Sequence, residues 1–205
     1  MRRTWPTVFV MLLAAGLVGC PARQAAEQVA PPLEELTGET VDTNEEGSEM
    51  NWKITSTAFE NGERIPARYT CEGENLSPPI NLGDIPEGTV ELALVCHDID
   101  APRQGGWTHW VLYGLPPDVT ELPEGIPADE TVDDPPCRQG NNTFPTIGYS
   151  GPCPPPGHGD HRYQFTAYAL REKLTFDEPP DRDALLAAME GKIIAQAMLE
   201  GTYSR

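Results

Sequence analysis

The chain has 205 residues and a formal net charge of −18, with 14 Lys and Arg set against 32 Asp and Glu. So acidic a balance excludes nucleic acid and flat docking on anionic lipid as partners, since both need cationic counter-charge on the protein. Gly 19 and Pro 22 disfavour long helices and point to short strands joined by constrained turns, in a chain long enough to bury a real core.

Residues 1–19 read as an export signal. Arg2 and Arg3 supply the positive start, and residues 8–18 form an apolar run too short for a bilayer span, which needs roughly 20 apolar residues. Leu17, Val18 and Gly19 before Cys20 have the form of a lipobox, so Cys20 is expected to be acylated and to anchor the chain at a membrane in the cell envelope. Residues 20–48 hold Pro31, Pro32, Glu34, Glu35, Glu39, Glu45, Glu46 and few large apolar groups. They are expected to form a disordered acidic tether with a reach on the order of 30 Å.

Residues 49–205 are one domain's worth of chain. Asn61-Gly62 signals a turn. Leu92-Ala93-Leu94-Val95-Cys96 is a continuous apolar run, expected to be a strand buried on both faces. Asp98-Ile99-Asp100-Ala101-Pro102 and Gly106-Trp107-Thr108-His109-Trp110 follow, and Trp110-Val111-Leu112-Tyr113 reads as a second strand. After Gly151-Pro152-Cys153 and a proline run comes His161-Arg162-Tyr163, opening a third strand over residues 163–170. Residues two apart in a strand share a face. That rule pairs Asp98 with Asp100, Trp107 with His109, and His161 with Tyr163, each pair beside a Gly/Pro turn. Arg162 faces the other way, towards an ion pair. His158 is expected on an exposed rim, and His97 has no stronger claim than a strand end.

One helix is expected over residues 184–189, capped by Asp181 or Asp183 and ended by Gly191. Residues 193–199 suit either an extension of it or a last strand. Apart from Cys20 there are four cysteines, Cys71, Cys96, Cys137 and Cys153, with three connectivities open to them in an exported domain. Cys96 also suits a small buried hydrophobe. Nothing has the spacing of a zinc site.

The segment over residues 52–203 resembles the phosphatidylethanolamine-binding protein (PEBP) family, in its bacterial YbhB/YbcL, Raf kinase inhibitor-like branch. The resemblance rests on Tyr69-Thr70-Cys71-Glu72-Gly73, Ser77-Pro78-Pro79, the box from Asp98 to Pro102, Gly106-Trp107 with His109-Trp110, Gly151-Pro152 before His161-Arg162-Tyr163, and Gly201-Thr202-Tyr203. Two departures stand out. Ile99 occupies a position where the family usually has proline, and Asn141-Asn142-Thr143-Phe144 replaces a more usual Asn-Asp-Phe-Gly.

The resemblance implies a mainly β protein, an antiparallel β-sandwich with one or two short helices, in which residues 193–199 form a strand. It implies an anion pocket built from Asp98, Asp100, Pro102, Trp107, His109, Gly151, Pro152, His161 and Tyr163. It favours a disulfide between Cys71 and Cys153, which leaves Cys96 with Cys137 as a second. No cofactor and no metal are expected.

The residues support the same direction. Two imidazoles, a phenol and backbone N–H groups near Gly151 suit a phosphate. The two acids are reconciled with it if one orients a histidine, or if the ligand is zwitterionic, with its ammonium meeting an acid and Trp107 offering a cation–π face. The expectation is an extracytoplasmic binding protein for a small phosphate-bearing or phosphoethanolamine-like ligand. Two other classes remain. Asp98, Asp100, His109 and His161 suit a metal-dependent phosphomonoester hydrolase, and an exported module of this kind also suits an inhibitor of an extracytoplasmic protein. Ser150 lacks the Gly-x-Ser-x-Gly setting of a hydrolase nucleophile. A homodimer is left open.

Overall fold

The computed structural model describes residues 52–205. The export signal, Cys20, the tether and residues 49–51 lie outside the described residues. Antiparallel strands dominate. A six-stranded sheet has the order β5-β6-β3-β2-β7-β8, and a small second sheet pairs β1 with β4.

In chain order the elements are β1 (Ile80–Asn81), β2 (Glu91–Asp98), β3 (Trp107–Leu115), β4 (Glu121–Leu122), β5 (Thr131–Asp133), β6 (Pro136–Gln139), β7 (His161–Leu170), α1 (Arg182–Met189) and β8 (Ile193–Tyr203). Residues 193–199 are therefore strand. Among the described residues a single 3-10 turn, Ala67–Tyr69, is the other helical piece.

Strand β2 is central because its side chains are apolar on both faces. Leu92, Leu94 and Cys96 enter a large core with Trp110, Leu112, Phe165 and Leu199, closed by Ile80 and Leu122 of the small sheet. Ala93 and Val95 enter a smaller core with Val111, Tyr113, Leu170 and, from α1, Leu185 and Met189. Burying an apolar side chain of this size contributes about 1.5–3 kcal/mol, so a strand with two buried faces anchors both layers. Helix α1 starts where Asp181 accepts from the Ala184 N–H at 2.9 Å, and Gly191 just past it takes φ +73°. That left-handed turn sends the chain into β8.

Cys71 and Cys153 are joined, with their Cα atoms 5.4 Å apart. The second expected bridge does not form: Cys96 and Cys137 are both free and buried. Cys96 lies on β2 and Cys137 on β6, with β3 between them. Two strand spacings come to about 9.5 Å, beyond the roughly 7 Å that a disulfide bridges. Both thiols act as small core side chains, and burial pushes the Cys137 thiol up to about 11.

Candidate ligand-binding site

The expected site residues gather where β2, β3 and β7 end together. Asp98, the last residue of β2, is paired in register with Trp107 on one side and Tyr163 on the other. A bulge makes this possible. Cys96 pairs with Trp110 but His97 pairs with Thr108, so His109 is an extra residue in β3. Strict alternation would place Trp107 opposite to Trp110. The extra residue returns Trp107 to the Asp98 face, which is how bulges re-aim side chains beside sites.

The floor is a chain of hydrogen bonds. Asp98 is 3% exposed and His161 1%. The His161 Nδ1–H donates to Asp98 Oδ2 at 2.7 Å, and the other oxygen, Oδ1, accepts from the Asp100 N–H at 2.9 Å. Both carboxylate oxygens are thus engaged. On its far side, His161 Nε2 meets His158 Nδ1 at 2.8 Å. His158 is exposed at the rim, as expected, but its direct bond to His161 has no precursor in strand alternation, because it arises from a Gly-rich turn.

His109, 2% exposed, donates from Nδ1 to the Ser150 carbonyl at 2.5 Å. A carbonyl only accepts, so this bond fixes the tautomer and leaves a lone pair on Nε2 of the neutral ring. Burial is the main cause that holds the His109 pKa down at about 4, against the opposing pull of the Ser150 carbonyl and Asp98. Tyr163 lies against His109 with ring centroids 5.2 Å apart. Its hydroxyl and the Trp107 Nε1 are buried and make no hydrogen bond of good geometry, with the Asp98 carboxylate the acceptor nearby that acts on the hydroxyl. Burial, reinforced by the Asp98 charge, pushes the Tyr163 phenol far up, so it remains a donor.

Above the floor is a cavity of about 240 Å³, walled by Pro102, Trp107, Phe144, Pro154 and Pro155 with Arg103 at its edge. Asp98, His109 and His161 also line it. Four expected residues are placed differently, the first being Tyr163, which packs against His109 without lining the cavity. Asp100 faces away: its carboxylate takes the Arg162 Nε and Nη2 hydrogens, each at 2.8 Å, and the arginine holds its pKa down at about 2. The physical reason is that β2 ends at Asp98, so the two-residue alternation does not carry through the turn. Arg162 has the ion pair expected for it.

Gly151 and Pro152 support the wall from behind and present no donor to the cavity. The Gly151 N–H is taken by Asn75 Oδ1 at 2.8 Å, and a Cβ there would lie 2.2 Å from the Tyr69 carbonyl oxygen, so only glycine fits. The Pro152 carbonyl accepts from the Cys71 N–H. Arg103, Pro154 and Pro155 line the cavity without having been expected there, whereas Phe144 belongs to a segment expected to reshape the rim and Cys153 to a motif expected around the site. Phe144, an aromatic within a polar loop, was the readable signal in its segment.

The four groups expected of a metal-dependent hydrolase do not converge, because Asp100 is turned outward. Among the described residues no group of three His, Cys, Asp or Glu side chains is placed to hold a metal ion.

The buried neutral His109 has a consequence for stability. Its folded pKa lies below the unfolded value of about 6.5, so its contribution is complete above that pH. As pH falls towards 4 the unfolded chain binds a proton that the folded one does not. Stability is expected to drop by on the order of 3 kcal/mol across that window. Asp100 acts lower, between its usual range and about 2. Urea unfolding at pH 7.0 and 4.5 would show the loss, and a His109→Gln variant with an unchanged slope would rule out His109 as its source.

Comparison with known proteins gives a consistent result. A family model described as phosphatidylethanolamine-binding protein matches residues 55–204. The chain is 45% identical over 156 residues to a UPF0098 protein of Methanothermobacter thermautotrophicus, covering 76% of this chain and 99% of that one. It is 45% identical over 154 residues to a UPF0098 protein of Aquifex aeolicus, covering 75% and 88%. Among solved structures, a PEBP homologue from Chlamydia trachomatis matches with a TM-score of 0.68 at 42% identity, over 75% of this chain and 97% of that one. YbcL of E. coli, described as a member of the mammalian PEBP family, matches with a TM-score of 0.71 at 32% identity, over 75% and 98%.

Proposed function

Because this chain belongs to the phosphatidylethanolamine-binding protein family, we propose that it binds a small phosphate-bearing ligand without chemically changing it, from a position outside the cytoplasm. The observation that carries this is the cavity floor of Asp98, His161 and His109, with the buried, unpartnered Tyr163 hydroxyl on the ring packed against His109. A buried donor left unpaired costs about 1–3 kcal/mol, and a ligand oxygen would remove that cost.

The floor's chemistry sets the terms of binding. Tyr163 donates to one ligand oxygen. His161, whose Nδ1–H is held by Asp98, donates a second hydrogen bond from Nε2 only as the imidazolium paired with that carboxylate, when the nitrogen exchanges His158 for the ligand. His109 cannot act as a neutral donor, since its proton is on Nδ1. It accepts instead, from the P–OH of a phosphate monoanion, or it takes a proton from solvent as the anion arrives. Either route gives the complex one proton more than the separated partners above the phosphate's second pKa of about 6. Affinity therefore falls as pH rises.

Calorimetric titration with inorganic phosphate and with phosphoethanolamine tests this. Saturable binding of phosphoethanolamine is expected to be about tenfold weaker at pH 8 than at pH 7, one proton per unit of pH, and that of inorganic phosphate weaker by less, with heats that depend on the buffer's ionisation enthalpy. Tyr163→Phe, which keeps the ring and removes the donor, should lose about 1.5–3 kcal/mol of binding. No heat with either compound at either pH would remove the phosphate reading and leave recognition of a protein segment.

The disulfide between Cys71 and Cys153 supports an oxidising compartment, in line with acylation of Cys20. A Cys20→Ala variant should leave the membrane fraction; if it stays there, the lipid anchor is wrong.

A further inference from the structure

We infer that the ligand carries an apolar, uncharged substituent on its phosphate, an aryl or short alkyl group, and not the ammonium arm of phosphoethanolamine. The inference rests on the phosphate reading above and names the class of compound within it.

Three features of the cavity point this way. First, apart from Arg103 at the edge, the polar groups lie on the floor, and the walls are Pro102, Trp107, Phe144, Pro154 and Pro155. Phe144 is 38% exposed and stands edge-on to Trp107 with centroids 5.1 Å apart, and to His109 at 5.6 Å. Together with the prolines it makes an apolar collar. An exposed aromatic at a cavity mouth costs hydrophobic free energy that an apolar ligand group would recover.

Second, the place an ammonium would occupy is taken. The Arg103 guanidinium lies over the Trp107 ring at 5.4 Å from its centroid. A ligand cation on that aromatic surface would share it with another cation. Nor is there a free acid to compensate. Asp98 is the one carboxylate lining the cavity, and its oxygens are engaged by His161 and the Asp100 N–H. Asp100 is turned to Arg162. An ammonium would have to leave water for a site with no free anion, a desolvation of several kcal/mol with no compensating partner. Arg103 at the edge instead complements the phosphate's charge.

Third, the cavity is larger than the anion needs. Its volume of about 240 Å³ exceeds the roughly 150 Å³ that accommodates a benzene molecule in an apolar protein cavity. A phosphate on the floor leaves room for a ring or a short chain within the collar.

The test is competitive calorimetry on the purified protein at one pH with four probes: inorganic phosphate, phosphoethanolamine, butyl phosphate and phenyl phosphate. Phenyl phosphate is expected to bind about tenfold or more tighter than phosphoethanolamine, the size of effect that burying a ring supplies. Butyl phosphate should fall between them, or match phenyl phosphate if the collar takes either shape. In Phe144→Ala that preference should shrink to less than about threefold. Phosphoethanolamine binding as tightly as phenyl phosphate, with inorganic phosphate still bound, overturns this inference alone. So does a preference that survives Phe144→Ala undiminished. If none of the four probes binds, the phosphate reading falls and this inference falls with it.

Discussion

Replacing Asp98 with alanine is expected to lower unfolding stability by about 3–5 kcal/mol, the usual result of removing one partner of a buried hydrogen-bonded pair. His161 is 1% exposed, and its Nδ1–H has no acceptor other than Asp98. Removing the carboxylate also strips the acceptor that holds the Asp100 N–H, so the turn after β2 loses its internal tie. Phosphate binding should be lost as well, because an imidazole without its orienting acid has no fixed tautomer. Urea unfolding of Asp98→Ala, His161→Ala and the double variant separates the contributions. If the two residues act as a unit, the double variant is destabilised by clearly less than the sum of the singles. Strict additivity would show that the pair is not coupled and would withdraw it as the organiser of the floor.

The second large effect concerns the bridge behind the wall. Removing it through Cys71→Ser with Cys153→Ser is expected to cost about 2–5 kcal/mol. The sequence separation of 82 residues puts the chain-entropy contribution near the upper end of that range. Cys153 also lines the cavity, and Pro154 and Pro155 continue directly from it, so ligand affinity should weaken alongside stability. The wild-type protein in reductant should behave like the double serine variant, since Cys96 and Cys137 form no bridge. A wild-type unfolding midpoint unmoved by reductant would show that the bridge adds nothing.

The strands were readable wherever side chains had one environment. The apolar run from Leu92 to Cys96 specified a strand buried on both faces, and Asp181 with Gly191 marked both limits of the helix. The site was legible as a set of residue types, since Asp98, Trp107, His109 and His161 meet around one cavity. Its wiring was not. Face assignment by alternation assumes an unbroken strand, and two interruptions defeat that assumption. The end of β2 turns Asp100 out to Arg162, and the extra residue at His109 changes which side chains of β3 share a face. Alternation also says nothing of backbone donors. The Gly151 N–H was expected to serve an anion, but it is committed to Asn75, from a segment 76 residues away in sequence. Cys96 and Cys137 were mispaired for a similar reason: their separation depends on strand order, which no local pattern records.

The place of β2 in the sheet has a dynamic consequence. The strand is hydrogen-bonded to β3 and β7 over most of its length and covered on both faces, so its amide protons can exchange with solvent only when the domain opens globally. Asp98 ends that strand, while Arg103 and Phe144 belong to turns outside any ladder. The protein therefore holds the acid of its floor on its slowest-opening segment, and Arg103 and Phe144 at the mouth on segments free to open in local fluctuations, so a ligand can arrive and leave without the floor ever loosening.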